Sequence, residues 1–143
     1  MIVLDTNVIS ELSRPDPAES VLVWLASLDA AGERVCITSI TVGELGYGLA
    51  KLPSGKRRDA LAHVTKVILA RFADASVLAY GRAAADLVGE VIVTRQRAAR
   101  PIALADAQIA AICLSVGATL ATRNTADFLG LGLALINPWS EPG

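Results

Sequence analysis

The chain has 143 residues, 53% hydrophobic and 19% charged, which is enough to bury one core and too apolar for a disordered chain. A formal charge of −1 excludes a broadly basic surface that grips many phosphates, so any nucleic-acid role rests on a local site. Aromatic residues make up only 4%, leaving Ala, Val, Ile and Leu to build the core.

The chain opens with IVL at 2–4, aliphatic on both faces as expected of a strand buried on two sides. Thr6 or Asn7 caps a short helix to about Leu12, which Pro15 and Pro17 close off. Residues 18–28 place Val21, Trp24, Leu25 and Leu28 at helical spacing, and VCIT at 35–38 reads as a second strand. A helix starting at Ser39 or Thr41 runs through TVGELGYGLAKL to the Pro53-Ser54-Gly55 break, with an apolar stripe of Val42, Leu45 and Leu49. A charged helix follows from about Lys56 to Thr65, and VILARF at 67–72 reads equally as helix end or short strand. Asp74 caps a long helix predicted to run to about Arg97. Beyond the Arg100-Pro101 break, a helix from about 104 to 116 stops at Gly117. ATLAT (118–122) and LALIN (133–137) are the last strands.

Strands separated by helices, without a tight hairpin signal, predict one α/β domain over residues 1–143, a three-layer α/β/α sandwich with a mostly parallel central sheet. In such sheets ligands sit beyond the carboxyl ends of the strands. Asp5 follows the first strand, Ser39 and Glu44 the second, and Asn124 and Asp127 the ATLAT strand. Cys36 and Cys113 lie in apolar runs without metal-site spacing and read as buried thiols of a reducing compartment. The chain starts with no basic-then-apolar leader, and its most apolar stretch, PIALADAQIAAICLSVGA, is short for a membrane span. The expectation is a cytoplasmic protein.

The acids carry different weights. Asp5 reads either as a helix N-cap or as a metal or catalytic carboxylate at a strand end. Asp106 shares a helical face with Ile109, Ala110 and Cys113, where an ionised carboxylate is costly unless paired or bound to a metal. By periodicity Glu44 reads as a solvated glutamate, but Gly43, Gly46 and Gly48 in the same helix imply close approach of a backbone or ligand, because each costs up to ~1 kcal/mol against alanine. His63 reads as exposed, and Lys56, Arg57 and Arg58 as a solvated helix end. No nucleophilic triad, Gly-rich dinucleotide loop or Walker sequence is present, and no aromatic stacking platform stands out.

LDTNVISEL at 4–12, TSITVGELGYGL at 38–49, LADAQIAA at 104–111, LATRNTADF at 120–128 and INPW at 136–139 together resemble PIN-domain proteins. More narrowly, they resemble the VapC and FitB-like toxins of bacterial type II toxin–antitoxin modules, and the blocks span nearly the whole chain in order. The resemblance implies a ribonuclease using Mg²⁺ or Mn²⁺, with Asp5, Glu44 and Asp106 matching three family carboxylates. The fourth family acid falls near TRN, where this chain has Asn124, with Asp127 three residues on; either is the candidate fourth ligand. Asn7 and Ser39 or Thr122 are the expected hydrogen-bonders that orient the carboxylates. The implied partners are RNA, a second copy of the chain, and an antitoxin that wraps the toxin and pushes an Arg or Lys into the acidic site; DNA is met only through the antitoxin. Two rivals remain. A haloacid-dehalogenase-type phosphotransferase needs DxD, which Asn7 breaks, and a PIN-like module acting only through protein binding is favoured by Asn124 and disfavoured by the three acids.

Overall fold

In the computed structural model, which describes residues 1–140, aliphatic segments too short to span a domain alone become the five strands of one parallel sheet. These are β1 (Ile2–Leu4), β2 (Val35–Thr38), β3 (Val77–Leu78), β4 (Thr119–Ala121) and β5 (Leu135–Ile136), in the order β3-β2-β1-β4-β5. Register follows directly: Ile2 and Val3 pair with Val35 and Cys36 on one side, and with Thr119 and Leu120 on the other. The helices are α1 (Thr6–Leu12), α2 (Glu19–Ala30), α3 (Ser39–Ala50), α4 (Lys56–Leu69), α5 (Arg82–Arg97) and α6 (Leu104–Val116).

The period-2 pleat sorts strand residues between two cores. Val3, Cys36 and Leu120 face a cluster with Val91 of α5 and Ala107, Ile109 and Ala110 of α6. Ile2, Leu4, Ile37 and Ala121 face the other side, with Val8 and Ile9 of α1, Val21 and Trp24 of α2, and Leu45 of α3. The expected three layers are present. α6 is nearly engulfed, and burying Ile109 and Ile112 contributes roughly 1.5–3 kcal/mol each. Gly117 ends it with φ 64°, a left-handed turn that costs glycine nothing.

Several local expectations are corrected. Asp5, not Thr6 or Asn7, caps α1, whereas α3 starts at Ser39, one of the two expected positions, with Thr38 capping it through the Thr41 N–H. Of the two readings open for VILARF, the helix end holds: it is the last part of α4 and its exit. Asp74 starts a single 3-10 turn (Asp74–Ser76), and the predicted long helix is split by β3 before α5 begins at Arg82. Val77 and Leu78 pair with Ile37 and Thr38; two residues with helix-compatible neighbours carry no local signal for that pairing. Val42 is exposed rather than part of the buried stripe. Among the described residues, nothing outside the helix's own backbone lies within 4 Å of a Cβ placed at Gly43, Gly46 or Gly48, so no neighbouring described segment accounts for those glycines. Among the described residues no helix is long and apolar enough to cross a membrane, and His63 is exposed.

Candidate active site

The chain moves from β1 outward to β2 and β3, then crosses back to lay β4 on the other side of β1. That reversal opens a crevice at the carboxyl ends of β1 and β4, where ligands of parallel sheets are bound. Asp5 and Thr122 occupy its two lips.

Asp5 continues the β1 ladder by donating its N–H to the Ala121 carbonyl at 2.9 Å, and only 5% of the residue is exposed. Its Oδ1 accepts the Thr6 N–H at 2.8 Å, so Asp5 does cap α1. Its Oδ2 accepts the Thr122 hydroxyl at 2.7 Å and, at 3.4 Å, the Asn7 amide. The Asn7 amide also donates to Thr122 Oγ1 at 3.2 Å, and its oxygen accepts the Arg123 N–H at 3.3 Å. Asp5 is therefore fixed by neutral donors only.

Glu44 departs from the solvated role that its helical position predicts. It is half-buried, and its Oε1 accepts the Thr6 hydroxyl at 2.7 Å. Thr6 in turn meets the Thr41 hydroxyl at 2.9 Å, and Thr38 Oγ1 accepts the Thr41 N–H at 3.1 Å. Periodicity failed here because the surface facing Glu44 belongs to α1, not to the sheet. Three threonines thus tie α3 to α1, roles the sequence does not announce, since threonines after strands are equally ordinary caps.

Asp106 sits in the first turn of α6, where the helix dipole favours a carboxylate, and is half-buried. Its carboxyl is nonetheless raised to about 6, by burial first and then by the charges of Asp5, Glu44 and Asp127. Asp5 is also raised: burial is the main cause, and the bonds from Thr122 and Thr6 oppose it, while Glu44 and Asp127 add repulsion. Four carboxylates therefore share one edge, and none of the four is in an ion pair among the described residues.

The far side of the site is the 3-10 turn Thr125–Phe128. Asp127 is exposed there, and its charge reaches Asp5 and Asp106. The Asn124 side chain makes no hydrogen bond among the described residues; its N–H donates to Thr122 Oγ1 at 3.1 Å. Arg95 of α5 pins this turn, donating from Nη1 to the carbonyls of Ala126 (3.2 Å) and Leu129 (2.9 Å), on either side of Asp127. Only 5% of Arg95 is exposed, and its Nε has no partner among the described residues. Sequence reasoning missed it, because an arginine on a helix usually reads as surface. Ser39 does not join the site: its hydroxyl accepts the Tyr80 N–H at 3.2 Å beside β3. Cys36 and Cys113 are free and buried, as expected, and burial with the Asp5 charge pushes the Cys113 thiol up to about 12.

The donors are all oxygens and lack a cation, which suits a hard divalent ion. Among the described residues no three His, Cys, Asp or Glu side chains are arranged to grip one ion directly. An ion held by one or two carboxylates and completed by water fits this spacing, and Mg²⁺ commonly binds in that way. A groove of about 750 Å³ leads away from Thr6 and Glu44 between α1, α3 and α4, with Leu45, Leu49, Leu52 and Leu61 along it and Arg14 and Arg57 at its sides.

Comparison with known proteins gives a consistent answer. The sequence model of the PIN domain matches residues 2–129. The chain is 37% identical to the VapC ribonuclease Y4jK of Sinorhizobium fredii over 99% of both chains. It is 39% identical to Toxin FitB of Neisseria gonorrhoeae, covering 99% of this chain and all of that one. Its fold superposes on a chain from the structure of FitAB bound to the IR36 DNA fragment with a TM-score of 0.86, at 34% identity and covering 100% and 99% of the two chains.

Proposed function

This chain belongs to the PIN-domain family, and from that premise we infer that it is an endoribonuclease dependent on Mg²⁺ or Mn²⁺, the toxin of a type II toxin–antitoxin pair. One observation carries the reading: Asp5, Glu44, Asp106 and Asp127 meet at the β1–β4 crevice without a cation, and burial first, then their mutual charges, raise Asp5 and Asp106. Such a cluster is costly for a protein that does not use it.

Asp5 and Asp106 would hold the divalent ion, with Asp127 or Asn124 as the candidate fourth ligand. When bound, the ion supplies positive charge to the phosphoryl oxygens and acidifies the attacking water. Asp5 is oriented for this by Thr122 and Asn7, which fix Oδ2, while the α1 N-terminus holds Oδ1. Thr6 occupies Glu44 Oε1 and leaves Oε2 open to hold a water or take its proton. Glu44 is thus a ligand, directly or through water, or the general base. Arg95 positions Asp127 by gripping both ends of its turn.

We place the antitoxin in the apolar groove beside Glu44, where a basic side chain entering from the groove would neutralise the carboxylates, as an arginine fork does well. A second copy of the chain would approach the outer face of α3, where Gly43 and Gly46 leave the backbone uncovered. DNA would be bound through the antitoxin. A single domain in the cytoplasm completes the reading.

The test is incubation of the purified protein with a mixed RNA pool, with and without Mg²⁺ or Mn²⁺, beside Asp5→Asn. Metal-dependent cleavage that falls by roughly 10²–10³ in the variant is expected. Equal cleavage by both proteins would sink the assignment, and an absence of cleavage by either would favour a module that acts only by binding protein.

A further inference from the structure

A site built of four carboxylates repels the polyanion it is meant to cleave. An ion at the centre relieves this at the scissile phosphate only; the flanking backbone still needs a cation beside the cluster. Resting on the nuclease reading above, we propose that Arg123, braced on Trp139 at the rim of the β1–β4 crevice, binds the RNA backbone phosphate next to the one being cleaved.

Arg123 lies between Thr122, whose hydroxyl holds Asp5, and Asn124, and its own N–H is bonded to Asn7 Oδ1. Its main chain is therefore part of the acidic edge. Its side chain is exposed and is in no ion pair among the described residues. The guanidinium carbon stands 5.1 Å from the centre of the Trp139 ring. A guanidinium over an aromatic face keeps its in-plane N–H groups available, and these match two phosphate oxygens at once.

Trp139 is itself anchored from beneath. Its indole N–H donates to Glu11 Oε1 at 3.4 Å and its main-chain N–H to Asn137 Oδ1 at 3.0 Å. Glu11, only 5% exposed, is bound in turn by Arg14 Nη1 at 3.3 Å and by the Ala18 N–H at 3.4 Å. An exposed arginine held this way loses less side-chain freedom on binding than a free one. The closing INPW segment thus supplies the aromatic support that composition gave no reason to expect.

The experiment measures binding separately from cleavage. Asp5→Asn protein with Mn²⁺ is titrated into a fluorescein-labelled single-stranded RNA of randomised sequence at several salt concentrations. Adding Arg123→Ala should weaken binding about five- to tenfold, and the slope of log affinity against log salt should shrink by ~0.7, the value of one single-strand phosphate contact. Arg123→Lys should keep the slope while binding more weakly than arginine, because the point charge does not share the Trp139 face. Arg71→Ala, the same charge change in the connection from α4 toward the amino end of β3, should alter neither. With Asp5 intact, Arg123→Ala should raise KM and leave kcat nearly unchanged. Unaltered affinity and slope, a fall in kcat alone, or loss of protein-partner binding without loss of RNA binding would each overturn the proposal. If the wild-type chain cleaves no RNA yet the Arg123 slope change persists, the nuclease reading fails, and with it the place beside a scissile phosphate, leaving Arg123 as an RNA-phosphate contact; cleavage without an Arg123 effect overturns this proposal and leaves the nuclease reading intact.

Discussion

The two ends of α1 carry the two most buried carboxylates among the described residues, Asp5 and Glu11, each 5% exposed. They are treated in opposite ways. Glu11 has the Arg14 guanidinium across both its oxygens, the Trp139 indole and a main-chain N–H. Asp5 has only neutral donors, and its charged neighbours are Glu44, Asp106 and Asp127. Burial alone does not mark a functional acid. In the function proposed above, the mark is burial without a cation, since the protein then forgoes the cheapest compensation it could supply.

The most direct way to break this contrast is to give the acidic edge a cation of its own. Asp127→Lys replaces a charge felt by both Asp5 and Asp106 with its opposite. Cleavage should fall by about 10² or more, and the melting temperature should no longer rise when Mn²⁺ is added; activity near wild type would mean that Asp127 stands outside the site. Removing the cation-paired acid has the complementary effect. Glu11→Ala should cost about 1–3 kcal/mol of stability, the scale for a buried polar network left incomplete, while the metal requirement of cleavage stays as it was. Denaturant melts of both proteins, with activity assayed well below the transition, check this.

The contrast also has a pH signature. Asp106 is raised to about 6 from 3.8, so in that interval the folded chain holds a proton that the unfolded chain releases. Stability of the metal-free protein should therefore decline as pH rises from about 4 through about 6. The expected decline is about 1 kcal/mol, reduced from the full shift because the carboxyl is half exposed. Mn²⁺ should reverse the decline at pH 7. In Asp106→Asn the slope should flatten, and the metal-free melting temperature should hold or rise slightly; a large loss instead would make Asp106 chiefly a structural cap for α6.

Much of this organisation is written in local sequence. IVL and VCIT are strands because no face of them is polar, and α6 stops where Gly117 permits a left-handed turn. Asp106 is conspicuous because its helical neighbours are apolar. Glu44 was obscured because local periodicity assigns the side of α3 that faces Thr6 to solvent. Arg95, Glu11 and the Arg123–Trp139 contact were obscured for the same reason, since each partner lies far away in the chain.

What the sequence determined by itself was every element but β3 and the turn before it, the alternation of strands and helices, and the acids placed at strand ends, because these depend on neighbours within a helical turn or a pleat. What only the tertiary structure decided was which acids share an edge and which receives a cation. The crossing that puts β4 beside β1 joins Thr122 to Asp5 across 117 positions, and no local period reaches so far. Charge interactions act through space, so a carboxylate's role is settled only when the fold has chosen its neighbours.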